Sequence, residues 1–244
     1  MITTEYVLGL YRQYISDLKA VRRQQYWFHR RHDNVLVRRL RKLRLRRYML
    51  FPALDDLEAE ITYLLIRAQR PKVIVEMSPN AGWSTTWILS ALRDNADGGQ
   101  LWSYDLHDTS TKLVPRRLAQ GRWHFVQGDA RNTVPSAPDF DYLFIDSDHT
   151  RDFAEWFVQM LFPRLKPGCQ VSVHDVFHQA TPSEEGAAVI AWLTAHGGHY
   201  WTTATAAAKA TTQAILDERV RLGIDYPIHR STKNPTNPML FFQR

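Results

Sequence analysis

The sequence predicts an α/β fold: a mostly parallel, seven-stranded sheet with helices on both faces, preceded by a basic helical arm. Three observations carry this expectation. Short apolar runs and amphipathic stretches take turns from residue 54 to the end. The run Val73, Ile74, Val75 ends in Glu76, breaks into the loop 77–82 and enters a helix at Trp83. The next apolar run, 101–105, again ends in acid, at Asp105. In parallel sheets of this kind ligands sit beyond the carboxyl ends of the strands, so those acids mark where a site belongs.

Taken in order, residues 54–68 read as a helix with Leu57, Ile61, Leu64 and Leu65 on one face, stopped by Arg70-Pro71. After the strands at 73–75 and 101–105, further strands are expected at 124–127, 142–145, 170–174, 199–203 and 239–243. Helices are expected at 85–93, 151–162 and 184–196. The stretch 203–226 carries an Ala-rich helix from 206 to 221 and reads as an insertion, either a lid or a surface helix. Asn234-Pro235-Thr236-Asn237-Pro238 reads as a turn before the last strand. The division expected is an arm over 1–52 and a globular domain over 53–244.

Composition bounds the setting. With 244 residues and 44% hydrophobic content the chain can bury a core. A single cysteine, Cys169, allows no internal disulfide and no cysteine metal cluster, which suits a reducing, cytosolic environment. The N-terminus lacks the basic-then-apolar pattern of a signal peptide, and no apolar run reaches membrane-spanning length. The net charge of +6 is uneven: twelve Lys and Arg against Asp33 between residues 19 and 47 give +11, leaving 6 − 11 = −5 for the rest. Leu36, Leu40, Leu43 and Leu50 give that run a partial helical spacing. It fits an anionic membrane surface, a nucleic acid, or an acidic face of the same chain or of a second copy in a homo-oligomer.

The loop after Glu76 holds one glycine, Gly82, where a dinucleotide fingerprint needs several to let the backbone approach a pyrophosphate. A nucleoside without pyrophosphate fits better. S-adenosylmethionine (SAM) could place its carboxylate at the helix N-terminus, its ribose on Asp105 and its ammonium near Glu76 or the loop carbonyls.

A second cluster follows from 139 to 178. Phe144-Ile145-Asp146-Ser147-Asp148-His149 and Val173-His174-Asp175 close two adjacent buried strands with acid and imidazole. Asp146, Asp148, His149, His174 and Asp175 should converge above the sheet, at a cost in stability unless paired or holding a cation. Carboxylates with imidazole suit Mg²⁺ or Mn²⁺.

Together these residues resemble a class I SAM-dependent methyltransferase over about 55–243. The matching points are Glu76 with its Ser-Pro-Asn-Ala-Gly-Trp-Ser loop, Asp105, Gly128-Asp129-Ala130, Phe144-Ile145-Asp146, and Leu165-Lys166-Pro167-Gly168 before His174-Asp175. The Glu-x5-Gly-x-Ser spacing at Glu76, Gly82 and Ser84 is similar to the branch holding catechol and caffeoyl-type and bacterial sugar and macrolide O-methyltransferases. The resemblance implies that Glu76, Ser78, Gly82 and Ser84 surround the methionine part of SAM, Asp105 the ribose, and Asp129 with Ala130 the adenine edge. It implies Asp146, His174 and Asp175 as ligands of a divalent metal, with Asp146 also beside the cofactor and His149 as the base that takes the acceptor's proton. Ser78 departs from the family's glycine, and His174-Asp175 from its acidic pair.

The expected reaction is transfer of the SAM methyl to a hydroxyl of a sugar, a glycan or glycolipid, or a small natural product. Trp83, Trp87, Phe177 and His178 are candidates for lining the acceptor pocket. The alternatives are a nucleic-acid methyltransferase that uses the basic arm, and a SAM-binding scaffold without turnover. The expected location is cytoplasmic, with the arm able to hold the protein at a membrane surface.

Overall fold

In a computed structural model the chain is described over residues 1–32, 54–224, 226–228 and 236–244, the side chains of 29–32 excepted. Seven helices of ten residues or more are described: α1 Thr4–Gln13, α2 Ile15–His32, α3 Asp56–Gln69, α4 Trp83–Asn95, α5 Arg151–Met160, α6 Glu184–Ala195 and α7 Lys209–Arg221. The strands are β1 Val73–Met77, β2 Gln100–Asp105, β3 Trp123–Gln127, β4 Tyr142–Ile145, β5 Gln170–Val173, β6 Tyr200–Thr202 and β7 Leu240–Gln243. Each strand and helix expected from residue 54 onward is present, with ends shifted by a few residues.

The sheet runs β3-β2-β1-β4-β5-β7-β6, parallel except for β7, which is antiparallel to both neighbours. This is the Rossmann-like methyltransferase fold. The chain order reverses between β1 and β4, which opens a crevice at their carboxyl ends. The register makes that crevice a shelf. Met77 pairs with Ile145 and Ile145 with Val173, so the residues that follow, Ser78, Asp146 and His174, leave the sheet level with one another.

Two apolar cores follow from strand alternation. Ile74, Leu101, Tyr142, Phe144 and Phe241 pack under α1 to α4 and α7. Val75, Met77, Leu143, Ile145, Val171, Val173 and Phe242 pack under α5 and α6.

Residues 1–28 join the first of these cores through Val7, Leu10, Tyr11, Leu18, Val21 and Phe28. The basic run therefore starts on a helix whose Arg22 turns inward. Arg22 is 1% exposed and bonds Glu60 and the Tyr226 carbonyl, while Arg219 reaches Glu60 at 2.9 Å and the Tyr11 hydroxyl donates to it at 2.8 Å. The helix expected around Leu36, Leu40, Leu43 and Leu50, and the start of the turn at Asn234-Pro235, lie outside the described residues. Helix α7 packs against α1, with Ile215 in the core and Arg12 paired to Glu218 at 2.9 Å. Among the described residues no helix is long and apolar enough to cross a membrane.

Candidate active site

The loop between β1 and α4 is shaped by backbone conformations that most side chains avoid. Ser78 (φ 61°), Asn80 (φ 48°) and Gly82 (φ 86°) are all left-handed. Asn tolerates this region and Gly is free in it, whereas Ser pays a steric cost. A Cβ on Gly82 would also stand 2.5 Å from Val114 Cγ2. The loop is tied down by Ser78 N donating to Tyr104 O at 2.8 Å and Asn80 N to Asp105 Oδ2 at 2.9 Å.

Glu76 lies behind this loop. It is fully buried and accepts hydroxyl bonds from Ser84 (2.7 Å), Thr85 (2.9 Å) and Ser103 (2.5 Å). Burial pushes its carboxyl up to about 7, against the pull of those hydroxyls. Glu76 and Ser84 thus anchor the base of the loop that ends at Gly82. Asp129 accepts from Arg131 N at 2.9 Å as the cap of the one-turn helix Ala130–Thr133. Ser78 and Asp105 line the pocket beyond the strand ends; Glu76, Gly82, Ser84, Asp129 and Ala130 do not.

That pocket, of about 470 Å³, is lined by Ser78, Asn80, Asp105, His107 and Thr109 at one side and Asp146, Ser147, His149, His174 and Asp175 at the other. Its size falls within the roughly 300–1,000 Å³ of small-molecule sites. The second side is the acid and imidazole cluster read in the sequence, with Asp148 exposed outside the wall. His149 Nε2 lies 3.1 Å from Asp175 Oδ2 and 3.9 Å from Asp146 Oδ1. Asp175, at φ 55°, also meets His178 Nε2 at 2.9 Å. His174 is nearly buried, with Nδ1 3.1 Å from Asp146 and 3.2 Å from Asp175, and Nε2 3.3 Å from the buried Glu58.

The electrostatics follow from these contacts. Bonds to Asp175 and to Glu185 push His149 up to about 10. Burial works against charge on Asp175, yet bonds from His149 and His174 hold it well below the usual carboxylate range. Burial also opposes charge on His174, but Asp146 and Glu58 keep its pKa well above 6.5.

The residues with ligand atoms close enough to share one ion are Asp146, His149 and Asp175, all within 4.8 Å of one another. His174 sits beside them and bonds both acids. Ser147 Oγ, in the same wall, is buried with no hydrogen-bond partner among the described residues. Two carboxylates, an imidazole and an open hydroxyl form a donor set that fits a hard or borderline divalent cation. Sequence reading missed Asn80, His107, Thr109, Glu58 and Glu185; only Asn80, inside the loop motif, carried a local signal. Of the proposed acceptor-side residues, Trp83, Trp87 and Phe177 are core residues.

Residues 75–176 match the family model described as a methyltransferase domain. No curated protein matches the chain in sequence. Among solved structures, a Geobacter sulfurreducens methyltransferase is 13% identical at TM-score 0.54, covering 86% of this chain and 88% of its own. A Klebsiella pneumoniae protein provisionally described as an O-methyltransferase is 16% identical at TM-score 0.52, covering 79% and 82%. The Podospora anserina methyltransferase PaMTH1, solved with S-adenosylhomocysteine (SAH) bound, is 13% identical at TM-score 0.51, covering 91% and 87%. Residues 75–176 thus match a methyltransferase domain, and the strand order, with a pocket at the switch point between β1 and β4, gives the chain the fold of the class I, SAM-dependent methyltransferases.

Proposed function

We propose that the protein is an O-methyltransferase that moves the methyl of SAM to a hydroxyl of a small polar acceptor, a sugar or a hydroxylated natural product, assisted by a divalent cation. The observation that carries this reading is the cluster of Asp146, His149 and Asp175 within 4.8 Å, in the same pocket as the nucleoside side formed by Asp105 and Asn80. The description of the Klebsiella neighbour as an O-methyltransferase agrees with it.

SAM supplies a methyl already activated on a sulfonium, so the protein's task is alignment and proton removal. Asp105 would take the ribose, Ser78 and the loop backbone the methionine end, and the N-terminus of α4 the carboxylate. Asp146 and Asp175 would hold the cation, which supplies a Lewis acid that lowers a hydroxyl's pKa. His149 would take the hydroxyl proton at Nε2. Between Asp175 and Glu185 alone the imidazole keeps its proton at neutral pH; it becomes a base when positive charge nearby offsets those carboxylates.

Because His149 Nε2 also lies within reach of the two acids, it is a second candidate as cation donor, and His149→Ala separates the roles. Unchanged Mn²⁺ affinity assigns it as the base, whereas lost affinity assigns it as a ligand. The deciding experiment is calorimetry with SAH and NAD, with and without Mn²⁺, followed by a screen of hydroxyl acceptors with labelled SAM. SAH binding with transfer to oxygen is expected, and binding of NAD without SAH would overturn the reading.

A further inference from the structure

Glu185 stands outside the matched region 75–176, yet it makes the shortest contact in the cluster. It is fully buried, and its Oε2 lies 2.8 Å from His149 Nδ1. A carboxylate only accepts, so Nδ1 is the nitrogen that carries hydrogen in this contact. The other nitrogen, Nε2, then faces Asp175 at 3.1 Å and the pocket.

The placement of Glu185 is built into the fold. It lies in the first turn of the twelve-residue α6, where the helix N-terminus favours a carboxylate. Ser183 caps that turn at Gly186 N, and Ser183 N donates to Val176 O at 2.7 Å, so the helix starts directly against the segment that follows Asp175. Gly186 permits the approach: a Cβ there would stand 2.4 Å from Val176 Cγ1. The other oxygen, Oε1, is buried with no hydrogen-bond partner among the described residues, so the His149 contact is the one this carboxylate makes there.

We propose that Glu185 is a positioning residue for His149: it holds Nδ1–H, fixes the ring, and reserves Nε2 for the reacting side of the pocket. This rests on the role proposed for His149. Carboxylates that orient a working imidazole commonly matter by about 10–100-fold.

The test uses full-length protein with ¹⁵N-labelled histidine at pH 7, compared with E185A, E185Q and E184Q, together with methyl transfer from labelled SAM to the acceptor found in the screen. Glu184 is exposed on the same turn and controls for charge alone. The wild type is expected to show a far-downfield, exchange-protected Hδ1 proton on His149, kept in E184Q, shifted in E185Q and lost in E185A. The value of kcat should fall about 10–100-fold in E185A, recover in part in E185Q and stay unchanged in E184Q, with KM for SAM constant throughout. An Hδ1 signal that survives in E185A, or a lost signal with unchanged kcat, overturns the proposal. A wild type that shows the signal but methylates no hydroxyl overturns the function reading, and the positioning role with it.

Discussion

Asp105 Oδ2 accepts the backbone N–H of Asn80 at 2.9 Å, so the acid that ends β2 also fastens the loop that ends β1. Its other oxygen accepts His107 N at 3.1 Å. Asp105→Ala should therefore release a loop held in left-handed conformations as well as remove the ribose contact proposed for this acid. We expect SAH affinity to fall by at least about tenfold, since one bond to a charged acceptor is worth about 1.5–3 kcal/mol. Asp105→Asn, which keeps one accepting oxygen, should lose less. Titration calorimetry decides, and wild-type affinity in Asp105→Ala would remove this residue from the site.

Glu76 gives a pH signature of stability. Its folded pKa, about 7, stands above the ordinary carboxylate value of 4.5, so its contribution is fully present below about pH 4.5 and is lost as pH rises to about 7. The span is worth about 3 kcal/mol at most. Glu76→Gln cannot ionise, so its stability relative to wild type should rise between pH 4.5 and 7 and level off above. Urea melts at pH 5, 6, 7 and 8 measure this difference, and a difference that stays flat across the range would refute the buried-acid assignment.

The charge network under α1 to α3 predicts a large single-residue cost. Glu60 is fully buried between the guanidinium groups of Arg22 and Arg219. Glu60→Ala would leave two buried cations facing Asp56 alone and strand the Tyr11 hydroxyl, for a loss of about 3–5 kcal/mol. Chemical denaturation reads it directly. A loss below about 1 kcal/mol, the value of a surface pair, would mean that water reaches the network.

Asp146→Asn and His149→Ala should each cut turnover by about 10²–10⁴-fold with SAH affinity largely intact, the range that acid–base groups contribute. The pH profile adds a direction. Bonds to Asp175 and Glu185 hold His149 near 10, so without added cation the rate should climb from pH 7 towards 10 as the imidazole loses its proton. Mn²⁺ should move that rise to lower pH. A rate that is flat over this range in wild type, or an unchanged rise in His149→Ala, would take the base role from this residue.

How much of this was legible in the sequence follows from the range of the interactions involved. The strands at 142–145 and 170–173 and the acids that close them are written in local runs of apolar residues ending in Asp146 and His174-Asp175, and the fold returns them as expected. Residues 1–28 read as part of a basic arm because charge counting cannot distinguish a solvated arginine from Arg22, whose partners Glu60, Arg219 and Tyr226 lie far along the chain. Glu185 escaped for a similar reason. It reaches His149 across 36 residues because Gly186 lets α6 press on Val176, and neither residue forms a motif on its own. His174 showed a further limit: the sequence places an imidazole among the acids, but only the packing of Glu58 beneath it turns one ring nitrogen away from the pocket.

The level ending of β1, β4 and β5 bears on which changes the chain can absorb. Ser78, Asp146 and His174 emerge side by side because Met77, Ile145 and Val173 stand in register. A substitution in any of these strands alters one side chain. A one-residue insertion or deletion in β4 would instead turn its closing acid to the opposite face of the sheet, away from its neighbours. The catalytic end is therefore indexed by strand length, and natural length variation in this chain's relatives should concentrate in the loops on the far side, where the count of residues carries no such meaning.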